Sequence, residues 1–66
     1  MTVLAGTLHD TYTDENNKKI AYSEKVIGVL EDEVFKCVSI PDLMNFDMPK
    51  EEFLSKTTDL QEIWSK

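Results

Sequence analysis

Apolar and polar residues alternate from Thr2 to Thr13, with Leu4, Leu8 and Tyr12 on one side of a period of two. That spacing predicts a strand. Gly6 falls on the same side and marks a bulge or the close approach of another backbone. Residues 14–19 form a polar turn, where Asn and Asp tolerate left-handed backbone angles. A second strand is expected over 19–30, with Ile20, Tyr22, Val26 and Leu30 on one face and Ala21, Ile27 and Val29 on the other. Its stretch Val26 to Leu30 is apolar on both faces, as in a central or covered strand. After a turn at Glu31-Asp32-Glu33, residues 34–40 read as a third strand. Val34, Val38 and Ile40 lie on one side of it, Phe35 and Cys37 on the other, and Pro41 ends it because it has no amide hydrogen.

Residues 41–48 read as a loop carrying Leu43, Met44, Phe46 and Met48. A helix is expected over 49–64. Pro49 suits a first turn, Glu51 and Glu52 suit the positive end of the dipole, and Phe53, Thr57, Leu60 and Trp64 form one apolar stripe. Thr58-Asp59-Leu60-Gln61 also matches a capping box, which leaves two shorter helices as an alternative. Residues 24–38 fit a helical period as well, through Val26, Leu30, Val34, Cys37 and Val38. Gly28 and the density of β-branched residues favour strands there.

The expected fold is therefore α+β: a single small domain over 1–66, a three-stranded antiparallel meander with one C-terminal helix packed on one face. One helix covers one face. The other, expected to hold Ile27, Val29, Phe35 and Cys37, is left for the loop or for another chain.

Composition narrows the chemistry. The 66 residues carry 13 acidic side chains against 7 basic ones, all lysine, for a net charge of −6. Most of that excess falls in residues 31–66. Such a chain is a poor match for binding driven by phosphate neutralisation, and an anionic membrane repels it. The size excludes a Rossmann domain or a TIM barrel. Cys37 is the only cysteine and His9 the only histidine, so no disulfide within the chain and no Cys or His metal cluster is expected. Cys37 reads as a small buried hydrophobe and His9 as a solvent-facing strand residue. No phosphate loop, dinucleotide fingerprint or nucleophile elbow is present. The expectation is a non-enzyme with no cofactor. The start of the chain does not read as a secretory signal, and no apolar stretch approaches the roughly 20 residues of a membrane span. A cytoplasmic protein is expected.

Two features bear on function. Glu31, Asp32 and Glu33 are either a solvated hairpin tip that keeps a strand edge from pairing or an acidic docking element. Met44, Phe46 and Met48 either lid a small core or form an adaptable contact surface, and Trp64 is either a staple or an interface anchor. The leading expectation is an acidic protein-interaction module that occludes a basic, nucleic-acid-binding surface of a target protein. A small standalone inhibitor of the kind encoded by phages and mobile elements fits that size and charge. The alternatives are an assembly subunit that forms a homo-oligomer, such as a dimer, through its uncovered sheet face, and a small β-rich single-strand binder that stacks bases on Tyr12, Tyr22 or Phe35.

Overall fold

The computed structural model describes residues 1–65, and it corrects the expected three strands to five. Strands β1 (Thr2–Thr13), β2 (Lys19–Glu31), β3 (Val34–Ile40) and β4 (Asn45–Pro49) follow one another. Helix α1 (Lys50–Lys56) then leads to β5 (Thr57–Ser65). All neighbours in the sheet are antiparallel, in the order β4-β3-β2-β1-β5.

Both added strands lie where a loop and a helix were expected. Residues 45–49 pair with Val34 to Val38 and form one edge of the sheet. The helix stops at Lys56 because Thr57 takes extended angles, and the β-branched pair Thr57-Thr58 suits a strand better than a helix interior. The open edge of β1 decides the matter, because residues 57–65 pair with Thr2 to Leu8 and satisfy backbone groups there that a helix would leave open. Leu60 and Trp64 therefore do not share a buried helical stripe with Phe53; they are 38% and 48% exposed on β5.

The β1–β2 turn is held by Asp14, whose Oδ1 accepts from the amides of Asn16 and Lys18, with Asn17 at φ 61°. The β2–β3 turn sets the register. Glu31 pairs with Val34, leaving only Asp32 and Glu33 between the strands, at φ 49° and 67°. Such two-residue turns match the natural twist of a hairpin. A three-residue turn would pair Leu30 with Val34, whereas the observed register pairs Leu30 with Phe35 and Gly28 with Cys37. A slip of one residue moves every side chain to the opposite face. Phe35 and Cys37 are accordingly on the helix side, and only Ile27 and Val29 of the expected set lie on the open side.

Leu8, Val26, Phe35, Cys37, Met48 and Phe53 form the core, with Leu4, Leu30 and Phe46 packed against it. Phe53 stacks on Phe35 with ring centroids 4.1 Å apart. The chain must cross from one sheet edge to the other between Pro49 and Thr57. Five flat strands would set those edges about 19 Å apart, while a helix spans about 12 Å over that stretch. The sheet therefore curls around α1, which explains how one short helix fills the core. Lys50 anchors its start by donating its amide to the Glu33 carbonyl, at 2.9 Å.

The convex face carries Val3, Ala5, Ile27, Val29, Val34, Val38, Ile40 and Trp64. Six of these are half-buried by their sheet neighbours, and Ile40 and Trp64 are exposed. Beyond Leu8 and Lys25 neither β1 nor β2 has an outer neighbour, so the distal hairpin projects as a two-stranded arm.

Candidate functional site

The acidic turn lies at one end of β3 and β4 and Met44 at the other, with Phe46 and Met48 on β4 between them. Glu31, Asp32 and Glu33 are all exposed at the β2–β3 turn. The fold adds Glu51, from the first turn of α1, to a depression that it lines with Glu33, Pro49 and Lys50. The Lys50 ammonium reaches Glu33 at 3.8 Å, with both groups well exposed, so this pair contributes little to stability. Glu51 escaped the sequence reading because it is far from the turn along the chain. Its signal was there, in the expectation that Pro49 opens a helix, but nothing in the pattern placed that helix beside the β2–β3 turn.

Met44 is 65% exposed in the β3–β4 turn. That turn is closed by Ser39, whose backbone carbonyl accepts from the Leu43 amide and whose hydroxyl accepts from the Met44 amide. Met48 is in the core and Phe46 packs against it, because β4 turns both toward the helix. The length of β4, about 17 Å, separates Met44 from the acidic turn. These six residues do not form one patch.

His9 lies on the convex face between two hydroxyls. Its Nδ1 is 3.1 Å from Ser23 Oγ and its Nε2 is 2.8 Å from Thr58 Oγ1, so it links β2, β1 and β5. On the concave side, Asp10 accepts from the Thr11 amide at 2.8 Å and from the Lys56 ammonium at 3.2 Å. The Thr11 amide first, and then Lys56, hold the Asp10 carboxyl below its ordinary value, and the same contact raises Lys56. This pair ties the end of α1 to the base of the arm. Tyr12 and Tyr22 stand on the arm with centroids 5.8 Å apart, while Phe35, the third aromatic considered for base stacking, is enclosed in the core.

Burial, followed by the Asp47 carboxylate, pushes the Cys37 thiol up to about 11. The thiolate is the reactive form, so the folded protein is expected to react with a disulfide reagent at pH 8 far more slowly than the same protein in denaturant. A stopped-flow absorbance trace with and without denaturant checks this, and equal rates would place the thiol at the surface.

Among the described residues, no group of three or more His, Cys, Asp or Glu side chains is arranged to hold a metal ion. No helix among them is long and apolar enough to cross a membrane. What the geometry offers is surface: an acidic end, a projecting arm and an uncovered apolar sheet face. Comparison with family models, curated proteins and solved structures finds no match to this chain, so its function is read from these surfaces.

Proposed function

We propose that the protein is a non-enzymatic acidic interaction module that docks on a basic, nucleic-acid-binding surface of another protein and occludes it. The placement of charge carries this reading. Eleven of the 13 acidic side chains lie on the concave side, at the turns with Glu31 included, on α1 and at Glu62 of β5, where Lys18, Lys50 and Lys56 are the only lysines among the described residues. An excess of one sign over these parts of the molecule steers a partner of the other and speeds encounter.

The β2–β3 turn supports the same reading. Asp32 and Glu33 both adopt left-handed angles, in a turn that favours Asn-Gly. Three adjacent acids there are a poor choice for stability and a good one for presenting charge. Replacing Asp32 with Asn and Glu33 with Gly is expected to stabilise the fold by about 0.5–1 kcal/mol. The same double variant is expected to associate more slowly with its target and to show a flatter salt dependence. The experiment immobilises the wild-type protein in an extract of its own cells and challenges what it captures with duplex DNA and with salt. A captured protein displaced by both, and captured more slowly by the variant, supports the proposal. Capture indifferent to DNA, to salt and to the substitutions overturns it.

A further inference from the structure

We infer that the free edge of β2 in the projecting arm pairs with the same edge of a second copy, antiparallel about a two-fold axis at Ile20. Backbone direction singles out this edge. The Asp14 amide donates to the Lys18 carbonyl across the β1–β2 turn, so even-numbered residues of the arm turn their backbone groups inward and odd-numbered ones outward. On β1 the outward amide of Thr11 donates to the Asp10 carboxylate at 2.8 Å, which Lys56 also holds. On β2 the outward backbone groups of Lys19, Ala21 and Ser23 have no partner among the described residues, because pairing with β3 ends at Lys25. The outer edges of the sheet are blunted: β4 is five residues long and ends in Pro49, and β5 is bulged twice against β1, with Asp59 at φ 54°.

Side chains select a second copy as the occupant, because the edge is complementary to itself. With Ile20 of one copy opposite Ile20 of the other, Lys19 faces Ala21, whose small side chain leaves room for the lysine stem. Lys18 faces the Tyr22 ring and lies diagonally from Glu24 of the other copy, within reach of a long side chain. Ile20, 37% exposed in one copy, is covered by its counterpart. Only steps of two residues keep outward groups facing each other. A step one way sets Lys19 against Lys19, and like charges directly opposite are destabilising. A step the other way drives Lys18 into Pro41 and Asp42, which stand beside Ser23 and Glu24 where β3 leaves the sheet.

Charge allows this contact where it opposes others. The whole chain carries −6, but from His9 to Lys25 there are three lysines against four acids. Antiparallel pairing of the arms also sends the two bodies to opposite ends. The acidic turn at residues 31–33 is at the far end of β2 from the arm's tip, so a dimer holds two such turns apart, as a two-fold contact requires. About four backbone hydrogen bonds and one apolar pair make a small contact, so association is expected at roughly 0.1–1 mM.

The test is sedimentation equilibrium of the full chain from about 10 μM to 2 mM, a range that brackets that expectation, with amide hydrogen exchange followed at both limits. The expected result is a mass that doubles while the Lys19 and Ala21 amides become protected and the Thr13 amide, on the opposite edge of the arm, does not. Ala21→Pro removes an outward amide that the single copy does not use, and Pro is tolerated on edge strands; it is expected to abolish the dimer. Ile20→Lys, at an exposed position, is expected to raise the dissociation constant at least tenfold by setting two ammonium groups on the axis, and it stands alone if the proline variant does not fold. A monomer throughout the range overturns the inference. So does a dimer in which the Lys19 and Ala21 amides stay unprotected, or one that Ile20→Lys leaves unchanged. No target protein is involved, so this result is independent of the docking test above.

Discussion

Phe53→Ala is expected to leave the chain largely unfolded at room temperature. Phe53 is 0% exposed and stacks on Phe35 within a core of six side chains. Gly28 lets the ring lie against the strand beneath it: a Cβ there would stand 3.0 Å from Phe35 Cδ1 and 3.2 Å from Phe53 Cε2. Removing the ring deletes the main apolar contact of α1 and leaves a cavity on a curled sheet that cannot close around Ala. Such truncations cost about 3–5 kcal/mol, and a core this small seldom supplies more than about 3–5 kcal/mol in total. Phe53→Leu, which keeps much of the volume, is expected to remain folded with a lowered midpoint. Far-UV circular dichroism and urea titration of both variants decide it. A cooperative, near-wild-type transition for Phe53→Ala would show that the helix does not hold the sheet together.

The hydrophobic pattern made β1, β2 and β3 legible because each alternates over a long enough stretch, with Asp14 to Lys19 and Pro41 as clear boundaries. It failed after Pro41 for two reasons. Asn45 to Pro49 alternates over only five residues, too few to tell a strand from an apolar loop, and its pairing with β3 is not local information. Residues 49–64 carry a genuine helical period through Phe53, Thr57 and Leu60, but only α1 uses it. From Thr57 onward the empty edge of β1 outweighed propensity, and tertiary pairing overrides weak local preference. The open face was legible as a concept and misassigned in content, since a two-residue turn in place of three exchanged Phe35 and Cys37 for Val34 and Val38. The acidic turn was legible from composition alone. Its neighbour Glu51 required the crossover of α1, which no periodicity encodes.

Gly6→Ala is expected to loosen β5 from β1 and to lower stability by about 1–3 kcal/mol, as overpacking does. An added Cβ would stand 2.7 Å from Thr57 Cγ2, 2.8 Å from the Thr58 carbonyl oxygen and 3.0 Å from Leu60 Cδ2. The Leu60 methyl can swing aside, but the Thr58 oxygen belongs to the backbone of the paired strand and moves only if β5 moves. Gly6 sits where the β1–β5 register shifts between Ala5 and Thr7, so the bulge brings Thr58 and Leu60 over this position. The β1–β2 ladder runs unbroken past the same point, so the disturbance should fall on one side of β1 alone. Hydrogen exchange resolves that asymmetry: β1 amides bonded to β5 should exchange faster in the variant, and those bonded to β2 should stay protected. Because Thr57 follows directly on α1, the shift should also reach Phe53 and lower the melting temperature. Equal protection on both sides of β1 would mean that β5 absorbs the methyl group without moving, and that the close approach at Gly6 does not set the position of the last strand.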